Sequence, residues 1–441
     1  MKVGIIGTGY VGLVQGVILS EFGMNIVCMD TSGEKIEKLS NGEPTIYEPG
    51  LRDMMIKNMK AGRLAFTTDI KKTVEECQVI FIAVGTPAQE DGSADLHYVE
   101  SVAKELSLCI NEYKVIVDKS TVPVGTGKKV RNIIEQGIKE RGLNLEFDVV
   151  SNPEFLREGK AIHDCTVPDR IVIGTESEKA AEIMKQIYDV FNLNQTPFIF
   201  TNLETAEMIK YASNAFLAVK ISFINEMALL SEQVGADVQA ISKAMGMDGR
   251  ISPKFLHAGP GFGGSCFPKD TKAIVKIGTD NGIDMKVISA AIEANKIQKK
   301  TMVKKICQSM GTVENKVIAI LGLSFKPDTD DMRDAPSLDI IRGLVNQGAE
   351  IQAYCPKGME EAKWRLKDID KQIKYMDNEY EAVKGADAVV IVTEWYQFRA
   401  LNLLKIRENL KDNYFFDLRN TYSRKDMSNF KYYGVGIGAK D

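Results

Sequence analysis

Val3-Gly4-Ile5-Ile6-Gly7-Thr8-Gly9-Tyr10-Val11-Gly12 stands at the start of this 441-residue chain. Val3–Ile6 reads as a short buried strand, Leu13 to Phe22 as a helix, and Ile26–Met29 as a second strand closed by Asp30, eighteen residues beyond the third glycine of the turn. Strand, glycine turn, helix, strand and terminal acid form the pattern of a dinucleotide-binding βαβ unit. Gly7 makes the tight turn, Gly9 admits a pyrophosphate and Gly12 lets the helix pack on the strand. The phosphates are expected at the helix N-terminus, where free N–H groups and the dipole favour negative charge. Asp30 would accept from the adenosine ribose hydroxyls and repel a 2′-phosphate, which selects NAD over NADP. The same stretch does not read as a secretion signal, because glycines punctuate it and Asp30 closes the next strand.

The length predicts two or three domains with ample buried core. Hydrophobic residues at 44% and charged residues at 26% are ordinary for a globular protein. A net charge of −4 leaves no electrostatic footprint for nucleic acid. No apolar run approaches the roughly 18 residues of a membrane span. The seven cysteines include no Cys-x-x-Cys pair and do not read as a disulfide framework; Cys28, Cys77, Cys109 and Cys307 lie in apolar contexts expected in the core. His97, His163 and His257 are scattered without ligand spacing, so no metal site is expected. The expectation is a reduced, cytoplasmic, metal-free protein with no membrane or nucleic-acid partner.

Outward from the first unit, apolar runs at Val79–Val84, Lys114–Asp118, Phe147–Ser151 and Arg170–Ile173 alternate with helical segments. This predicts an α/β fold with a doubly wound parallel sheet over residues 1–200. The loops Gly85-Thr86-Pro87, Ser120-Thr121-Val122-Pro123 and Asn152-Pro153-Glu154-Phe155 follow strands and should face the cofactor. From Leu203 to about Val234 the pattern becomes one long helix. Ile209, Ala212, Phe216, Val219, Phe223, Met227 and Leu230 form an apolar stripe along about 45 Å. That helix opens a central region, 201–312, expected to bridge domains and to bury part of its length against a second subunit. A second Rossmann-like domain, 313–441, begins with Val317–Leu323 and has no glycine fingerprint, so it should hold a nucleotide-linked substrate rather than a second dinucleotide.

Gly261-Phe262-Gly263-Gly264-Ser265-Cys266-Phe267-Pro268-Lys269-Asp270 carries the chemistry. A thiol in a glycine-rich loop, with a cation and a carboxylate three and four residues on, has the parts of an activated nucleophile. Lys210 and Asn214 stand one turn apart on one face of the long helix.

With Ile46-Tyr47-Glu48-Pro49-Gly50, Ser120–Gly125, Asn152–Gly159, Gly259–Asp270 and Phe325–Arg333 in one order behind the glycine turn, the chain resembles the nucleotide-sugar 6-dehydrogenases along essentially its whole length. The resemblance implies an NAD-dependent, two-step oxidation of a sugar C6 alcohol, through a Cys266 thiohemiacetal and thioester, to a carboxylate. It implies catalytic roles for Cys266, Lys210, Asn214, Asp270, Thr121 and Glu154, with Thr121 and Asp270 holding a water and Glu154 as the base for thioester hydrolysis. Cofactor contacts implied are Gly7, Gly9, Tyr10, Val11, Gly12, Asp30, Lys35, Thr86, Thr121, Glu158, Lys269 and Arg333. Substrate contacts implied are Glu154, Phe155, Leu156, Arg157, Glu158, Lys210, Asn214, Phe255, Leu256, His257, Ala258, Gly259, Gly263 and Lys326. Arg250 resembles an arginine that reaches a neighbouring subunit, which implies a homodimer or higher oligomer. The loop before Cys266 is most similar to the UDP-glucose type; GDP-mannose or a UDP-N-acetylhexosamine is the rival substrate. Cys355 departs from the family's common Asp, which bears on a local turn or nucleotide contact and leaves the chemistry untouched.

Overall fold

The computed structural model describes residues 1–437. The chain forms two compact units, one made of Met1–Ser213 with Lys276–Gly282 and the other of Asn214–Val275 with the chain from Ile283 onward.

The first unit holds an eight-stranded sheet in the order β3-β2-β1-β4-β5-β6-β7-β8. Its strands are β1 (Lys2–Ile6), β2 (Asn25–Met29), β3 (Leu64–Thr67), β4 (Val79–Ile82), β5 (Lys114–Asp118), β6 (Phe147–Ser151), β7 (Ile171–Gly174) and β8 (Phe198–Thr201). Val3, Ile5, Val79, Phe81, Val115 and Val117 point into one buried cluster, and Ile6, Ile80, Ile82 and Ile116 into another. Both faces are therefore dry, and these strands read as continuous apolar runs because helices cover each side. The strand order reverses between β1 and β4, the point where such sheets bind ligands. The doubly wound class holds with one departure: β6 meets β7 through an antiparallel pair, Ser151 with Gly174, while β7 and β8 are parallel to each other. A parallel return needs a crossover of a dozen or more residues, usually helical. The connection after β6 is mostly irregular, with only the six-residue helix Ala161–Thr166.

The second unit carries an all-parallel six-stranded sheet, β11-β10-β9-β12-β13-β14. Its strands are β9 (Val317–Leu321), β10 (Glu350–Tyr354), β11 (Ile373–Tyr375), β12 (Ala388–Ile391), β13 (Tyr414–Asp417) and β14 (Lys431–Tyr433). The long helix runs from Leu203 to Val234, 32 residues, as its periodicity predicts.

The face that this helix buries is not the stripe read from sequence. Within the second unit Asn214, Ala215, Ala218, Ser222, Ile224, Asn225, Ala228 and Ser231 are buried, whereas Phe216, Phe223 and Leu230 are 64%, 41% and 54% exposed. Small residues let the helix Lys286–Met310 approach closely enough for the Ser222 hydroxyl to donate to the Ala291 carbonyl at 2.7 Å. No helix among the described residues is long and apolar enough to cross a membrane.

Candidate active site

In the first unit the glycine turn has the geometry its spacing demands. Gly7 has φ +102° and lies so near Ala83 that a Cβ would stand 2.4 Å from its carbonyl oxygen. A Cβ on Gly9 would meet nothing within 4 Å, which leaves a bare, open cradle at the helix N-terminus. Asp30 closes the adjacent strand. Its Oδ2 accepts from the Thr8 N–H at 2.9 Å and the Thr8 hydroxyl at 2.7 Å, and its Oδ1 from the Ser32 N–H at 3.0 Å. The Lys35 ammonium lies 3.8 Å from Oδ2. Burial raises the Asp30 pKa, but these donors and Lys35 outweigh it and hold the carboxyl below its ordinary value. An open glycine turn ending beside a fixed carboxylate fits NAD.

The loops after β4 and β5 are tied together: the Thr86 hydroxyl donates to the Thr121 carbonyl at 2.8 Å and Ser120 Oγ to the Val84 carbonyl at 2.9 Å. Tyr10, from the turn itself, donates to the Glu48 carboxylate. The Gly159 N–H donates to both groups, at 2.7 Å each. Burial, and then the Glu48 hydrogen bond, push the Tyr10 hydroxyl well above its ordinary pKa. Arg157, in the same loop as Gly159, instead forms a bidentate pair with Asp164, Nε to Oδ2 at 2.8 Å and Nη2 to Oδ1 at 2.6 Å.

Glu154 and Lys210 meet as a buried ion pair of 2.7 Å, with side chains 6% and 4% exposed. The second Glu154 oxygen accepts from the Leu156 N–H at 2.8 Å, so the carboxylate is held on both sides. Phe155, between them in sequence, has Lys210 5.5 Å from its ring centroid and the Arg170 guanidinium at 3.7 Å. Sequence reasoning missed the support behind this pair. Buried Lys119 donates to Asn152 Oδ1 at 3.0 Å and to the Tyr188 hydroxyl at 3.2 Å, and Asn152 Nδ2 donates to the Val172 carbonyl at 2.7 Å. Burial pushes the Lys119 pKa down to about 8, against the pull of Cys165 and Glu154. The signal was the motif itself: Lys119 precedes Ser120-Thr121, and Asn152 opens the loop that carries Glu154.

A second buried acid cluster also went unread. Glu207 accepts from the Gly125 and Gly127 N–H groups at 2.6 and 2.7 Å, yet burial raises its pKa to about 7. Fully buried Asp118 is raised well above its ordinary value, by burial first and then by Glu207. Neither Asp118 oxygen has a hydrogen bond of ordinary geometry among the described residues; the nearby Ser120 N–H donates to Ile82 O at 3.1 Å.

In the second unit Cys266 is half-buried, its sulfur 3.5 Å from Ser265 Oγ. Its carbonyl accepts the Asp270 N–H at 2.8 Å and so opens the 14-residue helix Phe267–Asp280. A thiolate there lies at the positive end of the helix dipole. Asp270, in the first turn, is 1% exposed and fully engaged: Asn214 Nδ2 donates to Oδ2 and Lys269 Nζ to Oδ1, both at 2.6 Å. The two helix residues thus have separate acidic partners, Lys210 with Glu154 and Asn214 with Asp270.

Phe255 has φ +64° and its ring packs 6.0 Å from that of Phe267. Leu256 is buried, with its carbonyl accepting from Ser242, whereas His257 is exposed. Gly263 and Gly264 sit tightly on the segment before Pro336: a Gly263 Cβ would be 2.4 Å from the Asp334 carbonyl oxygen, and the Gly264 N–H donates to the Arg333 carbonyl at 2.7 Å. The Arg333 side chain turns to Asp331 at 2.9 Å, and Lys326 Nζ lies 5.4 Å from the Phe325 ring centroid. Arg250 is 90% exposed beyond its pair with Asp248. Cys355 is buried, its sulfur 3.7 Å from Ser324 Oγ and its N–H directed at the Met359 sulfur, so the departure from Asp is accommodated in a dry pocket.

Comparison with known proteins covers the chain end to end. The NAD binding domain of the UDP-glucose/GDP-mannose dehydrogenase family matches residues 1–192, the central domain of that family 204–297 and its UDP binding domain 319–424. A UDP-glucose 6-dehydrogenase of Rhizobium meliloti (strain 1021) is 46% identical over 445 residues, covering 100% of both chains. One from Bacillus subtilis (strain 168) is 48% identical over 437 residues, 99% of this chain and 93% of that one. The solved structure of a UDP-glucose dehydrogenase from the hyperthermophilic archaeon Pyrobaculum islandicum is similar at a TM-score of 0.91 and 35% identity, covering 99% of this chain and 98% of that one.

Proposed function

This chain belongs to the UDP-glucose/GDP-mannose dehydrogenase family, and from that premise we propose that its substrate is UDP-glucose and its product UDP-glucuronate. It is an NAD-dependent nucleotide-sugar dehydrogenase. The full-length similarity to relatives of that named activity carries the choice of hexose. NAD, when bound, would accept one hydride, so the four-electron oxidation consumes two NAD in succession, one for each hydride.

The chain's own residues do the rest. Lys210 and Asn214 donate to the C6 oxygen as it loses its proton and the alcohol becomes an aldehyde. The Cys266 thiolate then adds to the aldehyde carbon, and loss of a second hydride from the thiohemiacetal leaves a thioester. Water adds to the thioester carbon, the thiolate departs, and the carboxylate is released. Thr121 and Asp270 hold water and relay protons, and Glu154 takes the proton of the attacking water. Phe255–Gly259, Gly263, Lys326 and the Glu154–Glu158 loop bind the nucleotide sugar, while Arg250, 90% exposed, serves a neighbouring subunit. Phe216, Phe223 and Leu230, exposed at seven-residue spacing on one helix, supply the apolar face of a homodimer. A cytoplasmic setting, where NAD and nucleotide sugars are at hand, belongs to the same reading.

The test is a screen of UDP-glucose, UDP-N-acetylglucosamine, UDP-N-acetylmannosamine and GDP-mannose for NADH formation. UDP-glucose should exceed every other by more than about tenfold in kcat/KM. A higher efficiency with any other sugar would overturn the assignment.

A further inference from the structure

The loop that ends in Cys266 is buried where loops seldom are. Residues 258–264 are all buried and lie outside helix and strand. A buried backbone without ladder partners leaves N–H and C=O groups unsatisfied, which is destabilising. Side-chain amides from two helices meet that demand. The Gly259 N–H donates to Asn225 Oδ1 at 2.9 Å, and the Gly259 carbonyl accepts from Gln298 Nε2 at 2.7 Å. Asn295 takes both groups of Phe262, accepting from its N–H at 2.8 Å and donating to its carbonyl at 3.1 Å. All three amides are buried, at 2%, 1% and 7% exposure for Asn225, Gln298 and Asn295.

An amide offers one donor side and one acceptor side at the spacing of a peptide group, so Asn295 acts on Phe262 as a neighbouring strand would. The other halves of Asn225 and Gln298, Nδ2 and Oε1, have no hydrogen-bond partner among the described residues. Those unspent halves detract from stability. What the amides secure is the path of one short segment. Three residues separate Phe262 from Cys266, whose carbonyl already belongs to the following helix. The glycines between are pressed onto Asp334 and Phe325 and have no room to absorb a shift: a Gly264 Cβ would stand 2.8 Å from the Phe325 ring. Movement at Phe262 is therefore passed to the thiol.

We infer that Asn225, Asn295 and Gln298 are positioning residues, an amide clamp that sets the Gly259–Gly264 loop and thereby the attack position of Cys266. The inference rests on the proposed nucleophilic role of Cys266. A misplacement of about 1 Å costs on the order of a hundredfold in rate when geometry is what a site provides.

The direct readout is Cys266 itself. Iodoacetamide alkylation, followed at the Cys266 peptide by mass spectrometry, reports the thiol's setting with no substrate present. Asn295→Ala should change that rate by about fivefold or more and lower kcat by about tenfold or more. Gln298→Ala, acting at the substrate-binding end of the loop, should act more on KM. Ile406→Ala removes a fully buried side chain elsewhere in the same unit and controls for lost stability. It should lower the melting temperature while leaving Cys266 alkylation and kcat unchanged. If Asn295→Ala does not fold, Asn295→Asp keeps the acceptor for the Phe262 N–H and replaces the donor by a carboxylate oxygen facing the Phe262 carbonyl, and its alkylation rate should also move. Alkylation within about twofold of the unmodified protein in both Asn295 variants would overturn the clamp. A response in alkylation, with no nucleotide sugar oxidised by the unmodified protein, would keep the clamp and remove the proposed reaction.

Discussion

Asp30→Asn tests cofactor choice at a single charge. Asp30 is held below its ordinary pKa and is a carboxylate at neutral pH, with its side chain 12% exposed. A 2′-phosphate placed about 4 Å from it would meet a repulsion of about 4 kcal/mol per charge pair at an effective dielectric of 20. Lys35, 3.8 Å from Oδ2 but 48% exposed, offsets about half of that. The remaining 2 kcal/mol or so corresponds to about thirtyfold in favour of NAD. Asparagine removes the repulsion but retains only one acceptor oxygen, so one of the Thr8 and Ser32 contacts is lost, at about 1 kcal/mol. Because Lys35 stays while the whole repulsion of about 4 kcal/mol goes, the efficiency ratio of NADP to NAD should rise about a thousandfold, with NAD itself weakened about fivefold where a ribose hydroxyl loses its acceptor. Initial rates of reduced cofactor formation, at saturating UDP-glucose and fixed ionic strength, measure both. A ratio that moves by less than about threefold would show that Asp30 does not face the ribose, and the electrostatic reasoning would fall.

Three further outcomes follow from particular contacts. Glu154→Gln should let an acyl-enzyme build up on Cys266, visible as a mass adduct at slowed turnover; slow turnover without an adduct would remove Glu154 from hydrolysis. Asp118→Asn should raise the melting temperature more at pH 8 than at pH 5. The buried Asp118 and Glu207 carboxyls have raised pKa values, Glu207 about 7, so the folded state binds their protons more tightly than the unfolded chain, and stability falls as pH rises from about 4 through that range. An equal change at both pH values would show that no such proton is held. Phe216→Glu with Phe223→Glu places two charges on the exposed face of the long helix and should shift sedimentation toward the monomer, while an unchanged oligomer would place the interface elsewhere.

Which parts of this molecule could be read from sequence follows from where its apolar residues sit. Central strands such as Val79–Ile82 and Lys114–Asp118 are buried throughout and stand out as runs. The strands that escaped notice, Leu64–Thr67, Phe198–Thr201, Ile373–Tyr375 and Lys431–Tyr433, are the outermost of the two sheets. They are short and half solvated, and edge position rather than composition makes them strands. The long helix was legible in extent but not in orientation, because period alone gives the stripe and not which partner covers it. At the site, Cys266, Asp270, Lys210 and Glu154 were legible as motif members. Asn225, Asn295 and Gln298 were not, since a single polar residue on a helix reads as a solvated flank until the fold buries it against backbone, and Lys119, just past a strand, reads as an exposed loop cation until Asn152 and Tyr188 close over it.

The central claim is that one active site carries an alcohol to a carboxylate through Cys266 without releasing the aldehyde. Counting NADH against UDP-glucose consumed, with a carbonyl trap in solution, tests it directly. Two NADH per sugar, an empty trap, and loss of acid formation in Cys266→Ser are predicted. One NADH per sugar with aldehyde captured in the trap would contradict the account.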